Sequence, residues 1–271
     1  MQVIGNNNNG LQARLTIRIS DHTLSFSVVD REAEHQVIYE PYTLKSGVSM
    51  AANLRQAFKE SALLQRGYTK VRIFLDAPLL IVPIEQFKEE EMELFYNHAF
   101  TGHQGDALLY RVQATMNAVT IFPINKDLKL VIEDHFQDVR FTPIMQPMWN
   151  HLYQRSFTSI HRKLYAYFHN GKIDIFCFDK NRFKFSNVFD APHPKDALYF
   201  ILYVWKQLGL DQHQDELHLI GDMNDKEWLL YNTKLYVKKV FTINPAAEFN
   251  RAPLTEIKGI PFDLLALYLS K

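Results

Sequence analysis

The chain is poor in the residues that most cofactor and metal chemistry requires. Of its 271 residues one is a cysteine, Cys177. A single thiol excludes an intramolecular disulfide and a cysteine zinc cluster, and it fits a reducing compartment. Glycine is scarce, with ten in all, and none falls in a Walker, Rossmann or Gly-x-Ser-x-Gly arrangement. No apolar run approaches the roughly 18 residues that a membrane-spanning helix needs. Neither sign of charge is in excess: thirty Lys and Arg balance thirty Asp and Glu. Nucleic-acid binders take much of their affinity from a basic surplus, so no nucleic-acid partner is expected. Met1 to Gly10 carry the run Asn6 to Asn9 and no apolar h-region. Residues 1–12 are therefore expected to be a disordered lead-in rather than a signal peptide, and the protein is expected in the cytoplasm.

Hydrophobic residues make up 47% and charged residues 22%, the balance of a packed globular protein long enough to bury a core without staples. Period-two alternation opens the chain, with Leu15, Ile17 and Ile19 on one face, then Leu24, Phe26 and Val28 after a break at Ser20-Asp21-His22-Thr23. A third strand near Val37 to Tyr42 completes a meander. Ser49 is a candidate N-cap for a helix with Leu54, Phe58 and Ala62 that stops at Gly67. Val71 to Leu75 reads as a covered central strand. Pro83 precedes a charged helix whose apolar side is Phe87, Met92, Phe95 and Ala99. Leu108 to Val112 and Val119 to Ile124 form an expected hairpin, inserted over about 107–145. Phe141 to Met145 is a further strand, and Pro147 opens a helix toward Ser156.

The same order then recurs. Leu164, Ala166 and Phe168 alternate up to Asn170-Gly171, a preferred two-residue hairpin turn. Ile173, Ile175 and Cys177 follow, then a strand with Phe183, Phe185 and Phe189. Pro194 opens a helix with Leu198, Ile201, Leu202, Trp205 and Leu208 on one face. A strand at Leu217 to Ile220, a helix around Glu227 to Tyr231, a strand at Val237 to Ile243 and an apolar segment from Phe262 to Leu269 close the chain. The two hairpin turns, the two first helices and the strands after them are offset by about 145 to 150 positions, the self-similarity expected of a duplication. The expected organisation is an α/β protein of two lobes, 13–157 and 158–271.

Few side chains form a chemical constellation. His213 and His218 stand near Asp211, Asp215 and Glu216, but the spacing brings no two to one metal, and no His-Glu-x-x-His pattern occurs. No metal site and no catalytic residue are nominated. Cys177 lies on the apolar face of its strand, where a cysteine acts as a small hydrophobe. Lys88-Glu89-Glu90-Glu91 reads as a solvated first helical turn. Tyr165, Tyr167, Phe176, Phe178, Phe183, Phe185 and Phe189 put aromatics on both faces of consecutive strands, as in a sheet covered on both sides.

Two copies of a three-stranded meander followed by alternating helices and strands resemble the actin-like ATPase fold, of ribonuclease H-like plan, from about Ala13 onward. More closely, the chain is similar to an uncharacterised bacterial family of compact actin-like proteins. Its relatives are the cytoplasmic actin-like components of pilus and type II secretion machinery. The resemblance implies a nucleotide between the halves, with two hairpin turns at the phosphates and a Gly-Gly turn at the adenosine. Glycines there let backbone amides approach phosphate oxygens, and acidic residues position Mg²⁺. The first pattern, Asp-x-Gly-Thr, meets Ser20-Asp21-His22-Thr23, and neither register restores it. The second, Asp-x-Gly-x-Gly-Thr-x-Asp, meets Tyr167, His169, Gly171, Lys172 and Asp174 at the five positions compared, keeping one glycine and the last aspartate. Ile220-Gly221-Asp222 keeps one glycine of the adenosine turn.

With these motifs eroded, no cofactor is expected and ATP hydrolysis is not. The reading is a non-catalytic scaffold that binds a protein partner or itself through a sheet edge or an aromatic surface. In that case side chains such as His22, His169 and Tyr167 fill the cleft. The alternative is a divergent nucleotide-binding protein or weak ATPase. In that case Asp21, Thr23, Gly171, Asp174 and Gly221 contact ATP, with the aspartates near Mg²⁺.

Overall fold

The computed structural model describes residues 13–157, 160–180 and 182–270. The expected lead-in lies outside the described residues, as do 158 and 159 at the expected join of the halves. The chain divides into two compact units, Met1–Ile144 and Met145–Lys271.

In the first unit β1 (Arg14–Ile19), β2 (Leu24–Val29) and β3 (Val37–Tyr42) form the meander, followed by α1 (Met50–Glu60) and β4 (Lys70–Leu75). Then come β5 (Leu80–Pro83), α2 (Met92–Ala99), β6 (Ala107–Gln113), β7 (Ala118–Ile124), α3 (Lys126–His135) and β8 (Asp138–Pro143). The main sheet has the order β3-β2-β1-β4-β8, and a second sheet has the order β5-β7-β6. Alternation dictates which face is apolar. Leu15, Ile17, Ile19, Leu24, Phe26, Val28, Val71 and Ile73 are buried together with Leu54 and Ala57 of α1 and Leu128 and Ile132 of α3. Each of the larger side chains, the valines, leucines, isoleucines and Phe26, contributes about 1.5–3 kcal/mol of transfer free energy.

α1 begins where Ser49 Oγ accepts from the Ala52 amide at 3.2 Å. The helix proper ends at Glu60, and a 3-10 turn at Leu64–Arg66 runs on to Gly67, which sits at φ +77°. That left-handed geometry is what a glycine supplies at a helix terminus. The charged segment after Pro83 differs from the expected helix. It is two 3-10 turns, Ile84–Gln86 and Glu89–Glu91, before the short α2. Its buried aromatic is Tyr96 rather than Phe95, anchored by a 3.0 Å bond from its hydroxyl to the Pro78 carbonyl. The inserted element is also larger at one end and shorter at the other. It takes in β5, whereas α3 packs on the main sheet and β8 joins that sheet, paired parallel to β4.

The second unit opens with α4 (Met145–Phe157), then β9 (Lys163–His169), β10 (Lys172–Asp179), β11 (Arg182–Asp190), α5 (Pro194–Gln207) and β12 (Glu216–Gly221). α6 (Lys226–Lys234), β13 (Lys239–Thr242), α7 (Pro245–Glu248) and α8 (Phe262–Leu269) follow. The sheet order β11-β10-β9-β12-β13 repeats that of the first unit, with two antiparallel pairs and then two parallel ones. One face packs beneath α5 through Leu164, Ala166, Ile173, Ile175 and Cys177 against Ala197, Ile201, Val204 and Trp205. On the other face Tyr165 and Phe176 stack at 5.2 Å, and Tyr153 of α4 meets Phe178 edge-on at 5.5 Å. Tyr165, Tyr167, Phe176 and Phe178 are all buried, whereas Phe183, Phe185 and Phe189 on the outer strand are half-buried.

α4 belongs with this unit. It packs on α8, and its His151 Nε2 meets Glu248 Oε1 at 2.7 Å while Arg155 pairs with the other carboxylate oxygen. Asp215, 5% exposed, is a second anchor. It accepts from the Arg162 guanidinium at 2.8 and 3.1 Å and from the main-chain amides of Arg162 and Asp211 at 2.9 and 2.8 Å. No helix among the described residues is long and apolar enough to cross a membrane.

Candidate functional site

The residues expected at a nucleotide fall on two hairpins and one loop. In the first unit the β1–β2 turn is closed by the Thr23 carbonyl accepting from the Ser20 amide at 2.9 Å. Its polar groups bind one another. Ser20 Oγ accepts from the Thr23 amide at 3.1 Å and lies 2.6 Å from Thr23 Oγ1, which also accepts from Arg18 Nη1 at 3.2 Å. Thr23 is half-buried, and Asp21 and His22 at the tip are exposed.

In the second unit Asn170 and Gly171 turn β9 into β10 with φ of +48° and +73°, the left-handed pair that a tight hairpin demands. Alternation then sets Tyr167 and His169 on the same face as Asp174, whose register partner is Tyr167. His169 Nε2 lies 2.5 Å from Asp174 Oδ2, both residues are buried, and the imidazole stacks on Tyr167 at 4.8 Å. The Tyr167 hydroxyl donates to Asp263 Oδ2 at 2.9 Å, and Asp263 in the first turn of α8 is wholly buried. His169, Tyr167, Asp174 and Asp263 thus form one buried polar group spanning β9, β10 and α8.

Gly221 ends β12 beside this hairpin, in register with Phe168. Its φ is +92°, and a Cβ there would stand 2.2 Å from the Phe168 carbonyl oxygen. The same oxygen accepts from the Asp222 amide at 3.3 Å. The glycine is required by the close approach of two backbones within the sheet. On the α5 side the hairpin borders a cavity of about 310 Å³, lined by Asn170, Gly171, Lys172, His193, Asp222 and Asn224 among others. The structure therefore brings Gly171, Asp174 and the Gly221 loop together in one unit, with Asp174 turned into the buried group. Asp21 and Thr23 belong to the other unit.

Other reactive side chains are accounted for by packing. Burial pushes the Cys177 thiol up to about 12, which removes the thiolate that nucleophilic chemistry requires. Burial also lowers His218, against the upward pull of Glu216, whose Oε2 lies 2.9 Å away. Among the described residues no group of three His, Cys, Asp or Glu side chains could hold a metal ion.

Sequence reasoning passed over the His169–Asp174 pair, although a signal was present. Residues one step before and three steps after a two-residue Asn-Gly turn share a face and sit diagonally opposed. It also passed over Arg111 and Arg140, which flank a second cavity in the first unit.

A five-stranded sheet of three antiparallel and two parallel strands with helices between, occurring once in each unit, defines an actin-like protein. The crystal structure of a Bacteroides thetaiotaomicron protein with an actin-like ATPase fold and unknown function is similar at a TM-score of 0.83 and 29% identity, over 96% of both chains. A chain of the PilM–PilN type IV pilus biogenesis complex is similar at a TM-score of 0.58 and 14% identity, over 94% of this chain and 97% of that one. The cytoplasmic domain of EpsL, an inner-membrane component of the Vibrio cholerae type II secretion system, gives 0.43 and 11%, over 79% and 84%. The chain belongs to the DUF3822 family of proteins of unknown function, whose model matches residues 5–240. No curated protein matches the sequence.

Proposed function

We propose that this protein is a non-catalytic actin-like scaffold of the cytoplasm that binds a protein partner or a second copy of itself. One observation carries the reading: Ser20 and Thr23 at the first hairpin, and Tyr167, His169 and Asp174 at the second, are bound within their own units. Asp174, the acidic residue that a Mg²⁺-nucleotide would need, is held by His169 at 2.5 Å inside the fold. Tyr167, at the position of the other aspartate in the pattern, is committed to Asp263. Thr23 gives its amide to Ser20. Freeing a buried carboxylate for a metal would leave its former partner unsatisfied, at a cost of about 1–3 kcal/mol or more. These residues fit Mg²⁺ and phosphate poorly, and no hydrolytic step follows from them.

Partner binding is supported by the outer surface of the second unit. Tyr199 and Tyr203 stack at 6.1 Å along α5 and are 62% and 47% exposed. Tyr231, Leu235 and Tyr236, on and just after the neighbouring α6, are also at least half exposed. Exposed tyrosines of this kind are enriched where proteins dock. Strand addition is less suited to this sheet. β11 carries a bulge between Cys177 and Phe178 on its partner strand and presents Lys184, and β13 has four residues. Bulges, lysines and shortness are the devices that blunt a sheet edge. The pilus relative is likewise found in a protein complex.

A photoactivatable amino acid at Tyr199 or Tyr203, used in the source cell, tests the reading. One dominant protein adduct, or an adduct of the chain with itself, that Tyr231→Ser and Tyr236→Ser diminish is expected. Adducts no stronger than from the exposed control position Asp134 would refute it.

A second reading is favoured by the polar cavity beside Gly171 and Asp222. There the protein binds a nucleotide through divergent contacts of the second unit, with Gly171, Asp174 and Gly221 beside ATP and its Mg²⁺.

A further inference from the structure

The first unit holds a cluster of arginines away from both hairpins, with the Asp138 carboxylate shared between Arg14 and Arg140. A cavity of about 300 Å³ lies between β6 and β8, bordered by the half-buried Leu109, Val139 and Phe141, which pack on the core below, and flanked by Arg111 and Arg140. Arg111 is half-buried and spends its donors on neutral acceptors, the Phe141 carbonyl at 2.9 Å and Thr142 Oγ1 at 3.5 Å. Arg140 reaches a carboxylate only at 3.8 Å, that of Asp138. Asp138 is itself held in a two-pronged grip by Arg14, at 2.5 and 3.3 Å. In register beside Arg140, on β4, stands Arg72.

Two of these guanidiniums are close enough that burial and the charge of Arg140 together lower the pKa of Arg111. Like charges on neighbouring strands destabilise a sheet unless an anion lies between them. Guanidinium is also the group that grips a carboxylate through two parallel hydrogen bonds.

We infer that this cavity is a docking site for a partner peptide that presents a carboxylate side chain beside an apolar one. Charge complementarity selects the acid, which Arg111 and Arg140 receive from either side. The exposed parts of Leu109, Val139 and Phe141 select a neighbouring aliphatic or aromatic side chain. Arg111 of β6 bridges to the Phe141 carbonyl of β8, so the peptide rests on the mouth of the cavity and meets it through side chains. A free inorganic anion would use the arginines and leave these apolar side chains uncovered. The site lies in the other unit from the exposed tyrosines and stands or falls separately from them.

The test is a display selection of random twelve-residue peptides on the full chain. Selected peptides are then measured by fluorescence anisotropy against the wild type and three variants. Peptides with Asp or Glu beside an apolar residue are expected, with affinity about tenfold weaker for Arg140→Gln and for Arg111→Gln, and weaker in high salt. Arg111→Lys, which keeps the charge but loses the two-pronged grip, is expected to bind more weakly than the wild type and more tightly than Arg111→Gln. Arg140 is more than half exposed, so its variant keeps the test decisive if Arg111→Gln fails to fold. The inference is overturned if no peptide is selected, if the selected peptides lack acids, or if Arg140→Gln binds them unchanged. It is equally overturned if inorganic phosphate occupies the site, read from the arginine side-chain NMR signals, while peptides do not.

Discussion

Replacing Gly221 by alanine isolates a backbone approach that defines the second unit. At φ +92° an alanine is strained before it touches anything, and its Cβ would lie 2.2 Å from the Phe168 carbonyl oxygen. That neighbour is main chain in the middle of the sheet and cannot swing aside. The left-handed geometry costs about 1–2 kcal/mol. Relieving the overlap separates β12 from β9 and weakens the bond from the Asp222 amide to the same oxygen, adding about 1–2 kcal/mol. The expected total is about 2–4 kcal/mol, on the order of 10 °C in Tm for a unit of this size. Gly171→Ala is the control, since its φ is +73° with no atom within 4 Å of the added Cβ, and only the backbone cost of about 1 kcal/mol applies. All three tryptophans, Trp149, Trp205 and Trp228, lie in the second unit, so urea unfolding followed by tryptophan fluorescence reads it selectively. Equal losses for the two variants would refute the close approach, whatever their absolute size.

Three further outcomes follow from buried groups. Asp215→Ala, which leaves Arg162 and two main-chain amides without their acceptor, should cost about 3–5 kcal/mol in the same assay. Glu248 is pushed up by burial, but His151 and Arg155 outweigh this and hold its pKa below the ordinary 4.5. A depressed carboxyl stabilises above its unfolded pKa and loses that contribution as pH falls through the folded one. Urea midpoints between pH 6 and pH 3 should therefore drop less steeply for Glu248→Gln than for the wild type. Cys177, buried with a raised pKa, should react with a thiol reagent at pH 8 only after denaturation; rapid labelling of the native protein would contradict its place in the core.

Much of the architecture was legible because alternation is a strong signal where one sheet face is apolar. β1, β2, β9 and β10 announce themselves through Leu15-x-Ile17-x-Ile19 and its counterparts, and the shared offset revealed two similar halves. What escaped notice had weaker signals. β5 has four residues and exists through pairing with β7, a contact that no local pattern encodes. α3 was hidden within the supposed insertion, although Asn125 caps it by accepting from the Leu128 amide at 3.1 Å. Tyr96 displaced Phe95 from the core because its hydroxyl finds the Pro78 carbonyl, a long-range match. At the candidate site the sequence identified Gly171, Asp174 and Gly221 as positions of interest. It left open what they face, because a carboxylate's partner is set by the strand register and by α8, about ninety residues later.

The most direct test of the scaffold reading is calorimetry of the intact protein with ATP and with ADP, with Mg²⁺ present, at concentrations that detect millimolar affinity. With Ser20, Thr23, Tyr167, His169 and Asp174 bound within their own units, no saturable heat and no shift in Tm are expected for either nucleotide. Saturable binding of either nucleotide, lost in a folded Asp174→Ala variant, would contradict that reading and place the nucleotide at the second-unit hairpin.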